Sequence, residues 1–345
     1  MYLTHFGLKD HPFRLTPDDD FFYMSRSHAR AKAYMDYTVV SRDGFVVITG
    51  EIGAGKTTLL NKVVAETQES IVLARIDQTQ LNETEFLQAV VSAFGMEFTG
   101  AGKVELLNRL KTFLLGHAEH DHRVVLAVDE AQSLSYAVLE EIRLLSGIEA
   151  NKTKLLSVML MGQPELADVI DAPEMQQLSQ RVRLRFHLGP LERDESRDYI
   201  RHRLAVAGAA SEDVFTEEAY PVIQKYAGGI PRLINSLCDM AMLSAFVDDA
   251  RRVTPELVEV GARELGWQPF PERTAALKLN GAGSPAAVRG RKNGFGKGLN
   301  YDLQDVSSTF QAYIAGMAQG FENLRTDLQG IERQLAEVAR RLDRD

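Results

Sequence analysis

The sequence predicts an α/β fold: five parallel strands form a sheet flanked by helices, followed by a small all-helical domain and a C-terminal coiled-coil helix. Three observations predict this architecture. Short runs rich in Val, Ile and Leu alternate with helical patterns up to residue 188, as in βαβ units. Strand patterns then stop at Pro190. Finally, an apolar seven-residue repeat occupies the last part of the chain.

Alternating strand and helix patterns define the first part of the chain. The five predicted strands are 45–49, 71–77, 124–129, 155–161 and 182–188. Apolar residues at helical spacing predict crossover helices over 57–66, 83–94, 104–118 and 136–146. From 193 to 265 the apolar spacing is helical throughout. We therefore predict an α/β domain over 1–190 and a helical domain over 191–268.

A linker and a coiled coil are predicted beyond the helical domain. Small residues dominate the segment 269–305, and six Lys or Arg accompany one acid between 271 and 299, which predicts a flexible basic linker. From Phe310 to Leu342, ten apolar residues alternate three- and four-residue steps. This repeat favours a coiled coil over 306–345, used for self-association or a protein partner. A helix packed on its own domain is the alternative.

Composition limits the classes of function. With 45% hydrophobic and 25% charged residues, the 345-residue chain is typical of globular proteins. A net charge of -9 argues against a general affinity for nucleic acid or anionic membranes. The single cysteine, Cys238, excludes a disulfide framework and a multi-cysteine zinc site. No apolar run reaches the roughly 18 residues of a membrane span, so we expect a cytoplasmic protein.

A phosphate-binding motif follows the first strand. GEIGAGKT matches G-x-x-x-x-G-K-[ST] between a strand and a helical pattern, the context in which backbone amides surround phosphate oxygens. Lys56 is predicted to reach the β- and γ-phosphates of ATP, and Thr57 to ligate Mg²⁺. The predicted nucleotide-binding residues of the loop are Gly50, Glu51, Ile52, Gly53, Ala54, Gly55, Lys56, Thr57 and Thr58.

Two adjacent acids and a glutamine follow the third and fourth strands. Asp129 is predicted to hold Mg²⁺ through water, and Glu130 to orient and deprotonate the attacking water. A second acid directly after the metal acid indicates hydrolysis rather than binding alone. Gln163 is predicted to connect the γ-phosphate with that water, with a turn-capping role as the alternative.

Arginines at two domain edges are candidates for reading the nucleotide. Arg181 and Arg183 flank the start of the fifth strand, where either can reach a neighbouring subunit's phosphate as an arginine finger. We favour Arg181; surface ion pairing is the alternative. Arg232 follows Pro231 at a predicted helix start, from which it can reach bound phosphate or simply face solvent.

These motifs together resemble the AAA+ ATPases of the general secretion pathway protein A (ExeA) type, most closely the ATPase of exosortase-associated exopolysaccharide loci. The resemblance covers roughly residues 1–268 and rests on FGLKDHPFRLTPDDDFFY, SHARAKAYMDY, GFVVITGEIGAGKTTL, VDEAQ, MGQPEL, QRV and GGIPRLIN. It implies a P-loop (AAA+) fold, an oligomeric ATP-driven machine, residues 6–23 near the adenine, and finger and lid-sensor roles for Arg181 and Arg232.

Two functions are weighed for such a protein. The first is a Mg²⁺-dependent ATPase that energises or regulates a protein machine in secretion or exopolysaccharide assembly, with peripheral association at the inner membrane. Secretion members typically continue into a membrane span, and here we expect the coiled coil to supply a partner contact instead. The second is a DNA-associated ATPase regulator. The acidic ATPase and helical portions favour the first, because DNA binders usually carry a basic patch.

Overall fold

The computed structural model of the protein describes residues 2–16, 18–41, 44–66, 70–209 and 214–273. All of them lie in the first of two units into which the chain divides, Met1–Gly283. The predicted coiled coil and most of the predicted linker lie outside the described residues. The domain boundaries at 190 and 268 therefore stay predictions.

A five-stranded parallel sheet forms the centre of the described part, in the order β2-β3-β6-β1-β7. A separate antiparallel pair joins β4 and β5. The strands are β1 Phe45–Gly50, β2 Ile71–Ile76, β3 Arg123–Val128, β4 Glu149–Ala150, β5 Thr153–Lys154, β6 Leu156–Gly162 and β7 Leu184–Leu188. All five predicted strands of the parallel sheet are confirmed. Strands β1 and β6 are buried along their whole length, which explains their continuous apolar runs.

The α-helices surround this sheet and continue beyond it. They are α1 Tyr2–His5, α2 Arg26–Val40, α3 Lys56–Ala65, α4 Glu83–Ala93, α5 Lys103–Glu119, α6 Tyr136–Leu145, α7 Glu165–Ile170, α8 Gln176–Ser179, α9 Arg193–Val206, α10 Ala219–Ala227, α11 Pro231–Val247 and α12 Pro255–Glu264. Short 3-10 turns occupy Asp19–Phe21, Ala131–Ser133 and Pro173–Met175. The four predicted crossover helices correspond to α3–α6, each within about a residue of the predicted bounds.

Alternation along β1 divides the core between the two faces of the sheet. Phe45 and Val47 pack with α4, α5 and α6 in one buried cluster. Val46 and Ile48 point the other way and pack with α2 and α3 in a second cluster. Both faces of the sheet are therefore covered by helices, which leaves the carboxyl ends of the strands as the open edge for a ligand.

The third buried cluster joins the N-terminal segment to helices α9–α12. Tyr2, Leu8, Phe13 and Phe21 pack against these helices, which form the compact helical part that follows β7. The segment that carries these four residues therefore packs with the helical part, although it precedes the sheet in sequence. This packing brings it to the edge of the sheet where β1 ends.

The β4–β5 pair was not predicted. Its two strands have two residues each, too few to show an alternating pattern. Asn151 and Lys152 between them have φ values of 48° and 64°, as a tight hairpin turn requires. Helices α1, α2, α7 and α8 were also missed. Of these, α7 has six residues and α8 has four, too few to show a helical repeat.

Candidate nucleotide-binding and hydrolysis site

The phosphate loop connects β1 to α3 at the carboxyl edge of the sheet. Gly53 and Gly55 have φ values of 82° and 96°, a region that residues with a side chain rarely enter. A Cβ atom on Gly53 would lie 2.3 Å from Cβ of Arg232. The glycines therefore allow both the positive φ values of the loop and the close approach of neighbouring elements.

Lys56 is the first residue of α3 and is 5% exposed. Its Nζ donates to the backbone oxygens of Gly50 at 2.7 Å and Glu51 at 3.1 Å. Burial lowers the pKa of Lys56, and the nearby carboxylates of Glu130 and Asp129 oppose this shift. A buried cation among loop carbonyls is suited to receive a multiply charged phosphate.

The two predicted metal ligands lie side by side. Thr57 Oγ1 donates to Asp129 Oδ2 at 2.7 Å, and Asp129 is 3% exposed. A hydroxyl and a carboxylate in contact form the oxygen donor set that Mg²⁺ prefers, so these residues fit that ion. Arg75 Nη2 lies 3.4 Å from the same Oδ2 atom, a contact that the sequence analysis missed.

Glu130 and Gln163 come together beyond the carboxyl ends of β3 and β6. Glu130 has a φ of 51°, and its exposed Oε2 accepts from Gln163 Nε2 at 3.4 Å. Gln132 joins the two: its Nε2 donates to Glu130 Oε2 at 2.7 Å, and its Oε1 accepts from the Gln163 backbone N at 3.0 Å. The positive φ of Glu130 is a form of backbone strain that concentrates at active sites.

Gln132 was not singled out from the sequence. It lies in the 3-10 turn Ala131–Ser133, whose position beside β6 depends on the tertiary fold. Gly162 gives it room, since a Cβ there would lie 2.7 Å from Gln132 Oε1. The only sequence signal was its place two residues after the second acid.

A cleft of about 330 Å³ lies between the phosphate loop, the N-terminal segment and the helical part. Arg232 lines it and is fixed there by its backbone N, which donates to Gly53 O at 3.2 Å. The N-terminal residues that line the cleft are Arg14, Leu15, Thr16, Asp18, Phe21, Phe22 and Tyr23. Phe6 packs instead with the helical cluster, so the part of residues 6–23 that lines the cleft begins at Arg14.

Arg203 forms the floor of this cleft and was missed from the sequence. It is 7% exposed, and its Nη1 donates to Tyr199 OH at 3.0 Å while its Nε donates to Pro12 O. Tyr199 OH in turn donates to Asn235 Oδ1 at 2.8 Å. This buried network ties α9 and α11 to the N-terminal segment, and no short motif could reveal a contact that spans some 190 positions.

Arg181 lies away from the other site residues. Its Nη1 donates to Ser146 Oγ at 3.4 Å, and Arg183 N donates to Phe45 O at 3.0 Å, at the amino end of β1. Strand β1 has six residues, so about 17 Å of strand separates this edge from the phosphate loop. Arg181 and Arg183 line a second cleft with Arg143 and Lys154. The structure thus does not bring either arginine to the phosphate loop of its own chain.

Other candidate features do not form a site. Within the described ranges, no group of three or more His, Cys, Asp or Glu is arranged to hold a metal ion. The sequence predicts a polar loop at His117, His120 and His122, whose alternating positions splay the side chains. This prediction is wrong for His117, which lies in the last turn of α5 with its Nδ1 atom 3.2 Å from that of His122. Cys238 is fully buried. Across the same described residues, none of the helices has the length and apolar character to span a bilayer.

Comparison with known proteins places these features in a family context. Residues 39–170 match the family model described as AAA domain. The chain is 37% identical over 266 residues to General secretion pathway protein A of Aeromonas hydrophila, covering 77% of this chain and 48% of that protein. This chain therefore spans about half the length of the curated relative it matches.

Solved structures share the fold at low identity. The Aeropyrum pernix ORC2 protein aligns with a TM-score of 0.56 at 18% identity, covering 74% of this chain and 72% of that one. Cdc6p from Pyrobaculum aerophilum aligns with a TM-score of 0.53 at 18% identity, covering 72% and 71%. The family model, the sheet order and the phosphate loop together show that this chain carries an AAA ATPase domain with the P-loop fold.

Proposed function

We propose that the chain hydrolyses ATP in a Mg²⁺-dependent reaction at the carboxyl edge of the sheet. The observation that carries this proposal is the contact between Thr57 and Asp129 beside the Glu130–Gln163 pair. This contact supports a metal-ligand pair and a base beside the phosphate loop. Thr57 and Asp129 would hold Mg²⁺, which would supply positive charge to neutralise the charge of the phosphates.

The chain's own residues divide the remaining work. Lys56 and the loop amides bind the phosphates, and Arg232 closes the cleft from α11. Glu130 accepts a proton from the attacking water. At the same time the water oxygen bonds to the γ-phosphorus, and the bond between that phosphorus and the β–γ bridging oxygen breaks. Gln132 and Gln163 hold the Glu130 carboxylate in place, and Gln163 is positioned to orient the water.

Two substitutions test this division of roles. Glu130→Gln should keep ATP binding but stop turnover, because only the proton-accepting group is lost; loss of a general base typically costs about 10²–10⁴ in rate. Lys56→Ala should instead abolish binding. Isothermal titration with ATP and a phosphate-release assay distinguish the two. Equal turnover by wild type and Glu130→Gln would contradict the assignment of Glu130.

The position of Arg181 supports a homo-oligomer. It lies at the edge of the sheet opposite the phosphate loop, where it can serve the nucleotide of a neighbouring copy but not its own. We favour Arg181 over Arg183 as the finger.

We propose that the ATPase serves a secretion or exopolysaccharide machine, with residues 1–190 as ATPase core and 191–268 as lid. The support is the similarity to General secretion pathway protein A together with the acidic net charge. The protein would act from the cytoplasm, with peripheral association at the inner membrane. The predicted coiled coil over 306–345 would contact the protein partner or a second copy.

Partner capture from cells tests this role. The full chain, the chain ending at Leu299, and full chain carrying Leu328→Asp and Leu335→Asp are each purified and their partners identified. We expect the full chain to capture an envelope-machinery protein, or to differ in mass by light scattering from the other two proteins. Either result would depend on the intact apolar repeat from Phe310 to Leu342. ATP binding should survive in all three proteins. Salt-sensitive recovery of DNA instead would favour the DNA-associated alternative.

A further inference from the structure

The His28 ring lies between the start of α2 and the phosphate loop and has no role in the mechanism above. The residue is 3% exposed. Its Nε2 lies 3.0 Å from Ala54 O, and its Nδ1 lies 2.7 Å from Ser25 Oγ. Both ring nitrogens are thus engaged, one of them with the backbone of the loop itself.

The partners of His28 define its protonation state. Because the Ala54 carbonyl can only accept, Nε2 carries a proton and donates it. Ser25 Oγ accepts from the His28 backbone N at 3.2 Å, and its own hydroxyl proton is directed at Nδ1. Burial lowers the pKa of His28, opposed by the hydrogen bond to Ala54, in keeping with a neutral ring.

The ring also fits the loop sterically. A Cβ atom on Gly55 would lie 2.7 Å from His28 Nε2. On its other side the ring meets Phe22 edge-on, with centroids 5.5 Å apart. Both His28 and Gly55 line the nucleotide cleft.

The helix that carries His28 is itself anchored. The Arg26 backbone N donates to Glu195 Oε1 at 2.9 Å, and Glu195 lies in the first turn of α9 with 7% exposure. His28 therefore attaches the phosphate loop to a helix start that is fixed against the helical part.

Holding the Ala54 carbonyl has a consequence for phosphate binding. The Ala54 oxygen and the Gly55 N–H belong to one planar trans peptide and point in opposite directions. We propose that His28 is a positioning residue for the phosphate loop: it holds the Ala54 carbonyl so that the Gly55 N–H stays turned toward bound phosphate. This inference rests on the proposed nucleotide site and adds a residue that holds the phosphate loop in position.

Binding measurements on the full chain test the proposal. His28→Leu fills the space but donates nothing, so the Kd for ADP and the KM for ATP should rise about tenfold, with kcat changed less than KM. His28→Gln should restore most of the affinity, since its amide nitrogen can reach the position of Nε2. Ser25→Ala, which leaves the ring unsupported at Nδ1, should raise the Kd by a smaller factor.

The matched control is His5→Leu. The His5 side chain is 7% exposed, its Nε2 lies 2.8 Å from Ala250 O, and neither residue lines the nucleotide cleft. We expect His5→Leu to lower Tm without changing the Kd for ADP. If His28→Leu lowers Tm in the same way and leaves the Kd unchanged, the role is only structural and the proposal is overturned.

Two further outcomes are informative. If His28→Leu does not fold, an unchanged Kd in Ser25→Ala overturns the proposal, and a raised Kd in folded Ser25→Ala protein supports it. Failure of the wild-type chain to bind any nucleotide would overturn the proposed nucleotide site. Wild-type binding, with equal binding by His28→Leu, would overturn this inference alone.

Discussion

Positive-φ glycines in the phosphate loop show that single residues serve two constraints at once. Gly53 needs a backbone conformation that side chains disfavour, and it also lies against Arg232 of α11. The Arg232 backbone N donates to Gly53 O at 3.2 Å. Any side chain at this position would therefore disturb both the loop and the attachment of the helical part.

Substitution of Gly53 separates these two effects. Gly53→Ala and Gly100→Ala both place alanine at positive φ, with values of 82° and 73°. The backbone conformation alone should therefore cost each variant about 1 kcal/mol of stability. Only at Gly53 does the new Cβ meet another residue. We therefore expect Gly53→Ala alone to weaken ATP binding, measured by titration with Tm as the stability readout. Equal ATP affinity in the two variants would contradict the close contact with Arg232.

At the scale of elements, the N-terminal segment is a wall of the nucleotide cleft held in place by α9. Arg203 donates to Pro12 O, Arg14 O and Tyr199 OH, and its guanidinium lies 4.9 Å from the centre of the Phe21 ring. Hydrogen bonds from a buried charged group are among the stronger ones in proteins. Together with the buried Phe13 side chain, they fix residues 12–16 beside the phosphate loop.

Removing these donors should loosen the wall. Arg203→Met keeps the apolar stem but leaves Pro12 O unpaired, so we expect a stability loss of about 2 kcal/mol or more and a raised KM for ATP. Arg201→Met, two positions earlier on α9, removes contacts with Glu217 and the Tyr220 ring, which do not line the nucleotide cleft, so it should leave the KM for ATP unchanged. Denaturant unfolding and steady-state kinetics measure both. A KM that is the same in the two variants would argue that the wall does not shape the site.

The accuracy of the sequence predictions follows from the distance over which each signal acts. The phosphate loop and the acid pair could be placed from short patterns, because strand, turn and helix start are all local. Gln132 and Arg203 could not. Their positions depend on which strands are neighbours and on how the N-terminal segment packs, and a local pattern does not encode either.

At the scale of the whole molecule, the two clefts lie at opposite edges of one sheet. The cleft beside the phosphate loop contains Lys56, Glu130 and Arg232, whereas the cleft at the amino edge contains Arg181 and Arg183. Because a single copy cannot bring these groups together, a complete site as proposed needs two copies.

Mixing two inactive variants tests this arrangement. Arg181→Ala lacks the finger but has an intact Glu130, and Glu130→Gln has the finger but no base. In mixed oligomers, a site with native Glu130 can receive Arg181 from the other variant, so phosphate release should recover in part. Arg183→Ala in place of Arg181→Ala serves as the control. No recovery in oligomers shown to be mixed would count against a role of Arg181 across the interface.

The sequence by itself determined the five strands of the parallel sheet, the four crossover helices, the phosphate loop, the acid pair and the start of α11, since each depends on spacing within a few residues. The tertiary structure decided which groups meet: Thr57 with Asp129, Glu130 with Gln163 through Gln132, and His28 with Ala54. It also placed Arg181 at the far edge of the sheet. The physical reason is that hydrogen bonds act over about 3 Å in space, and only the packed order of strands makes residues that are distant in sequence neighbours at that range.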